Sequence, residues 1–116
     1  MGIRSDVFLA VKSSIQDEFK AKFETMLTEN YGAKVYLHPE GTAYYADYTK
    51  WYHDIYDDLA EMYRWLDEQD EEAFIAIQAC AEYPDDHEGD RGDWRDNPWG
   101  AERYYRVGID FNAEAK

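Results

Sequence analysis

The chain has 116 residues, 45% apolar and 17% aromatic, enough for one domain with an ordinary hydrophobic core and too rich for a disordered tail. Twenty-six acids against twelve bases give a net charge of −14, which argues against direct binding of nucleic acid or of anionic membranes. No apolar run approaches the roughly 18 residues that span a bilayer, no secretory leader opens the chain, and the single Cys80 leaves no internal disulfide and no cysteine zinc site, so a soluble, cytosolic protein with one domain over 1–116 is expected.

Val7, Phe8, Leu9, Ala10 and Val11 form a short continuous apolar run that reads as a buried strand. Ser13 and Ser14 follow as candidate N-caps, with Gln16 and Asp17 three residues beyond them. Ile15, Phe19, Phe23, Met26 and Leu27 then recur at helical spacing until Gly32, which can take the left-handed conformation that ends a helix. Residues 33–38 and 42–48 read as two strands joined by a tight turn at Pro39, Glu40 and Gly41. A second amphipathic helix is predicted over 53–67, with Ile55, Leu59, Met62 and Leu66 on its inner face.

Residues 73–81 make a further strand and 103–111 a last one, in which Tyr105, Val107, Ile109 and Phe111 alternate with Tyr104, Arg106, Gly108 and Asp110. The order β-α-β-β-α-β-β is most simply an α+β, ferredoxin-like split βαβ arrangement, an antiparallel sheet with two helices on one face and an added edge strand. Residues 82–100 form a long acidic loop within it.

The charge is concentrated. Residues 54–72 hold nine acids and Arg64 alone, a net of −8; residues 82–96 hold seven acids with Arg91 and Arg95, a net of −5. On the second helix Asp54, Asp57, Asp58, Glu61 and Glu68 face away from the apolar row. If the next strand returns antiparallel, the loop acids Asp85, Asp86, Glu88, Asp90, Asp93 and Asp96 come back beside them, and the two windows join into one stripe. An acidic helix face is ordinarily solvated surface, and Asp in a first helical turn is favoured by the helix dipole anyway. Folding alone asks for no such concentration of one sign, and mutual repulsion opposes it. Trp65, Trp94 and Trp99 lie among these acids and are either interface anchors or pins that hold the loop to the core.

Catalytic chemistry finds little support. Cys80 lies in an apolar strand, and His38, His53 and His87 are scattered. The alternating acids Asp86, Glu88 and Asp90 resemble the start of a calcium loop, yet Arg91 and Asn97 stand where that loop needs Gly and Glu. No enzyme activity, cofactor or dedicated metal site is expected.

The opening Met1, Gly2, Ile3, Arg4, Ser5, Asp6 and Val7 resembles small acidic proteins encoded by phages and prophages, which tend to begin Met-Gly-Tyr-Arg-Ser-Asp-Val. The likeness resumes at Lys50, Trp51 and Tyr52 and again at Glu82, Pro84, Asp85, Asp86, Gly92, Asn97 and Pro98. It implies a phage accessory protein acting in the host cytoplasm and supplies no catalytic residue.

Charge and resemblance together predict a DNA mimic that blocks the basic DNA-binding surface of a host protein such as gyrase, RNA polymerase, a restriction or CRISPR effector, or a recombination nuclease. Asp54, Asp57, Asp58, Glu61 and Glu68, the loop acids and the three tryptophans would carry the contact. A homodimer through the edge strand 103–111 would lengthen the stripe. The alternative is a small-molecule or metal-ion binding module built on 82–99.

Overall fold

The computed structural model describes residues 3–104 and 108–114. Its centre is β1 (Ser5–Lys12), whose uninterrupted apolar run follows from burial on both faces. β3 (Gly41–Thr49) pairs antiparallel on one side, with Leu9 opposite Tyr44, and β4 (Phe74–Ala79) on the other, with Leu9 opposite Ala76. β2 (Lys34–His38) and the short β5 (Arg91–Gly92) complete a five-stranded sheet in the order β2-β3-β1-β4-β5, antiparallel at every pairing. The protein is thus α+β, with an antiparallel sheet and two helical stretches.

The first stretch is continuous but not uniform: α1 (Ser13–Phe19), a π-helical turn (Lys20–Glu24) and α2 (Thr25–Tyr31). It ends at Gly32, whose φ of 68° and N–H bond to the Leu27 carbonyl make the expected left-handed cap. The second is α3 (Asp57–Asp67). Phe19, Phe23 and Leu27 from the first and Leu59, Met62, Tyr63 and Leu66 from the second bury against Val7, Leu9, Val11, Tyr44, Phe74 and Ala76, so both helices cover the same face. Trp65 fills the seam between them, 5.8 Å from the rings of both Phe19 and Phe23, and its indole N–H donates to Glu18.

The other face carries a second apolar layer. Phe8, Ala10, Ala43 and Ile77 are covered by Trp94, Trp99 and Ala101 and by a hairpin of β6 (Glu102–Tyr104) and β7 (Gly108–Asp110). Phe111 closes it, 4.9 Å from the Phe8 ring and 4.8 Å from that of Tyr45.

Several sequence expectations are corrected. Neither Ser13 nor Ser14 caps the first helix. Its first N–H donates to the Glu40 carbonyl in the β2–β3 turn, and Gln16 accepts a hydrogen bond from Thr42 instead of closing a capping box. The second helix begins at Asp57, because Ile55 and Tyr56 both donate to the Tyr52 carbonyl in a turn. Ile55 therefore points outward at 68% exposure, and Tyr63 takes a place on the inner face. The strand predicted over 73–81 ends at Ala79, and Ala73 belongs to a 3-10 turn (Glu71–Ala73). The predicted edge strand 103–111 is instead the β6–β7 hairpin, a separate two-stranded sheet; the alternation at Tyr105 and Val107 lies outside the described residues.

Candidate partner-binding surface

α3 points its acids outward because Leu59, Met62, Tyr63 and Leu66 claim the sheet. Asp57, Glu61 and Glu68 are exposed along one crest, with Arg64 among them. Eleven helical residues rise about 16 Å, so this row is shorter than one starting at residue 53. Asp58 lies on the flank toward α2, where its carboxylate accepts from the Tyr31 hydroxyl at 2.8 Å and from Asn30 at 3.3 Å. Burial, reinforced by Asp58, pushes the Tyr31 phenol well above its ordinary value. Asp58 is therefore a helix-to-helix tie.

The loop after β4 runs in step with α3 along its other flank. Asp54 shares a pocket with Asp86 and Glu88 at the helix N-terminal end. Midway, the Tyr63 hydroxyl donates to the Gly89 carbonyl at 3.1 Å while accepting the Trp51 indole N–H at 2.9 Å. Next, the Arg91 guanidinium pairs with Asp67 at 2.6 Å and lies over the Tyr63 ring. At the C-terminal end the Asp93 N–H donates to the Glu71 carbonyl, and Glu72, Asp93 and Asp96 line one cleft. The windows 54–72 and 82–96 thus lie side by side over the length of the helix.

Asp90 fastens this arrangement from inside. Its carboxylate accepts from the Gln78 N–H at 2.8 Å, from Arg103 at 2.8 Å and 3.0 Å, and faces His87 Nδ1 at 2.9 Å. Arg103 also donates to the carbonyls of Gln78 and Asp86. Asp93 pairs with Arg95 at 2.5 Å. Asp90 is therefore an internal tie, and Asp86 accepts the Glu88 N–H in its own turn.

The tryptophans divide. Trp94 and Trp99 are 4% and 1% exposed, so the expectation that they grip a partner is corrected: they pin the loop to the second face of the sheet, 6.0 Å from each other. Trp65 is partly covered in the helix seam. Of the acids singled out in the sequence, Asp54, Asp57, Glu61, Glu68, Asp85, Asp86, Glu88 and Asp96 are exposed. Among the described residues β2, with Leu37 at 72% exposure, is an edge strand without a further neighbour, at the opposite end of the sheet from β5.

The pocket at the helix N-terminal end has a volume of about 320 Å³ and is lined by Ile3, Ser5, Trp51, Tyr52, His53, Asp54, Gln78, Cys80, Tyr83, Asp86 and Glu88. Among the described residues no three His, Cys, Asp or Glu side chains gather to hold a metal ion, and no helix is long and apolar enough to cross a membrane. Sequence reading missed Tyr63, which its spacing from Leu59 could have revealed, and Arg103, for which local pattern held no signal. Comparison with protein families, with curated proteins and with solved structures gives no match.

Proposed function

We propose that this protein is a DNA mimic of phage origin, which occupies the basic DNA-binding surface of a host DNA-handling protein and so inhibits it. The observation that carries the reading is the side-by-side placement of the two windows that hold a net charge of −8 and −5. Asp57, Glu61 and Glu68 supply one row, and Asp85, Asp86, Glu88 and Asp96 the other, with Asp54 joining them at one end. Asp58, Asp90, Trp94 and Trp99 are structural supports. Such a surface attracts Lys- and Arg-lined channels, and its binding is steep in salt. Gyrase, RNA polymerase and restriction or CRISPR effectors present surfaces of that kind.

The finer description of the fold as ferredoxin-like, with β5 added at one edge, is part of the same proposal. It is supported by the neighbour order β2-β3-β1-β4 and by two helical crossovers on one face.

The test is capture of purified DNA-handling enzymes from the host at low salt, followed by elution with duplex DNA. Mimicry expects release by DNA, and loss of capture in D57K/E61K/E68K with the fold intact. Capture that persists in that variant, or that duplex DNA does not reverse, overturns it. The pocket beside Asp54 favours a second reading, a small-molecule binding role.

A further inference from the structure

The pocket between Trp51 and the acidic loop has a one-sided chemistry. Tyr52 and Tyr83 supply aromatic surface beside the buried Trp51, and Tyr83 is 55% exposed at the rim. Asp54, Asp86 and Glu88 bring three carboxylates, while none of the described lining residues is a lysine or arginine. Part of the floor is already hydrogen-bonded. Both amide hydrogens of Gln78 are engaged, on Ser5 Oγ at 3.0 Å and on the Trp51 carbonyl at 3.1 Å, so this side chain has no N–H left to give. The Tyr52 hydroxyl accepts the Ile3 N–H at 2.6 Å and keeps its own hydrogen to donate.

An anion would meet repulsion from three carboxylates here. A bare divalent ion would need a preformed set of oxygens, and Asp86 already spends one carboxylate oxygen on the Glu88 N–H. An organic cation matches the carboxylate and tyrosine walls. Its N–H groups meet the carboxylates, and its charge and methylenes lie against the Tyr52 and Tyr83 rings. A volume of about 320 Å³ admits a four-carbon chain with an ammonium or guanidinium head.

We propose that this pocket binds an alkylammonium or guanidinium group. The inference does not depend on DNA mimicry, since the crest Asp57, Glu61 and Glu68 can be tested separately. Two sources offer this chemistry, a free amine or a Lys or Arg side chain of a bound protein.

The experiment is calorimetric titration of the whole protein with butylammonium, agmatine, neutral butanol, calcium chloride and the capped tripeptide Gly-Lys-Gly, with intrinsic tryptophan fluorescence as a second readout. Saturable one-to-one binding of butylammonium or agmatine is expected, with no saturable binding of butanol or calcium. Affinity should fall at least tenfold in D54N/E88Q, which changes exposed residues and leaves Asp86 in its turn. Y83A, at the rim, provides an independent variant should the acidic pair fold poorly. Tighter binding of the tripeptide than of butylammonium assigns the site to a partner's side chain; weaker binding assigns it to a free amine. No saturable cation binding, equal binding of butanol, or affinities unchanged in both variants would overturn the proposal. D57K/E61K/E68K should bind the small cations as wild type does, so a failure of mimicry and a failure of this site are told apart.

Discussion

Asp90 and Arg103, thirteen residues apart in sequence, are joined by hydrogen bonds at 2.8 and 3.0 Å, and Arg103 also donates to the carbonyls of Gln78 and Asp86. One arginine thereby ties the β6 strand, the end of β4 and the acidic loop together. Removing the carboxylate leaves a mostly buried guanidinium with fewer partners and frees the Gln78 N–H. For a fully buried pair such a loss costs about 3–5 kcal/mol; with Asp90 partly solvated, D90A should cost about 1–3 kcal/mol in urea unfolding. Limited proteolysis should move into 82–96. An unchanged midpoint would show that the loop is held without this tie.

Tyr63 makes the equivalent connection from the helix side. Its hydroxyl serves the Trp51 indole and the Gly89 carbonyl at once, and burial raises its pKa far above the ordinary phenol value. Y63F keeps the ring but strands a buried N–H and a buried carbonyl. A loss of about 1–3 kcal/mol is expected in chemical denaturation, and intrinsic tryptophan fluorescence should report a changed environment. A loss below about 0.5 kcal/mol, within the range of an ordinary surface substitution, would mean that water takes over both bonds.

These two ties show where sequence reading succeeds and where it stops. Strand β1, the helix ending at Gly32 and the inner row Leu59, Met62 and Leu66 follow from periodicity and glycine chemistry, because each is decided by neighbours within a few residues. The juxtaposition of the two acidic windows was also legible, since an antiparallel return of the chain after α3 dictates it. The roles of individual acids were not. Asp58 and Glu61 look alike in sequence, yet one meets Tyr31 and the other meets solvent, and only the packing of α2 against α3 separates them. The fate of Trp94 and Trp99 was hidden for the same reason. A second face covered by loop and hairpin leaves only irregular aromatic spacing as its trace.

Gly92 offers a sharper test of how β5 joins the sheet. Its φ is +80°, and a Cβ there would stand 2.3 Å from the Phe74 carbonyl oxygen, which already accepts the Trp94 N–H. G92A therefore meets backbone strain and a backbone clash together, and an effect of more than about 1 kcal/mol is expected. Hydrogen exchange should show the Trp94 amide losing protection ahead of the β1 amides. Equal protection of both in the variant would mean that the edge adapts without detaching.

Alkaline pH should weaken the fold. Burial pushes Tyr45 up from 10.0 to about 12, and burial also raises Tyr31, Tyr44 and Tyr63, the first two with help from the carboxylates of Asp58 and Glu24. The folded state thus favours the neutral phenol. The stabilisation is complete below the unfolded value of 10.0 and is lost as pH rises through 12 and beyond, because the unfolded chain releases its protons first. Each phenol released on unfolding steepens the fall by up to about 1.4 kcal/mol per pH unit. Denaturant midpoints from pH 9 to 12 should decline together with the appearance of tyrosinate absorbance. A flat stability profile over that interval would contradict it.

The outward acids and the tying acids should have opposite effects on stability. Asp58 and Asp90 hold partners, so neutralising either weakens the fold. Glu61, Glu68, Glu88 and Asp96 are exposed on the crowded side and mainly repel one another. E61Q/E68Q/E88Q/D96N should therefore raise stability by about 1 kcal/mol at low salt, with the gain shrinking as ionic strength screens the wild-type repulsion. The same substitutions should weaken capture of a DNA-handling enzyme, because charge kept against stability is charge kept for a partner. Thermal melts at low and high salt, beside the capture experiment, measure both. A variant that loses stability at low salt would return these acids to the ordinary role of structural surface charge.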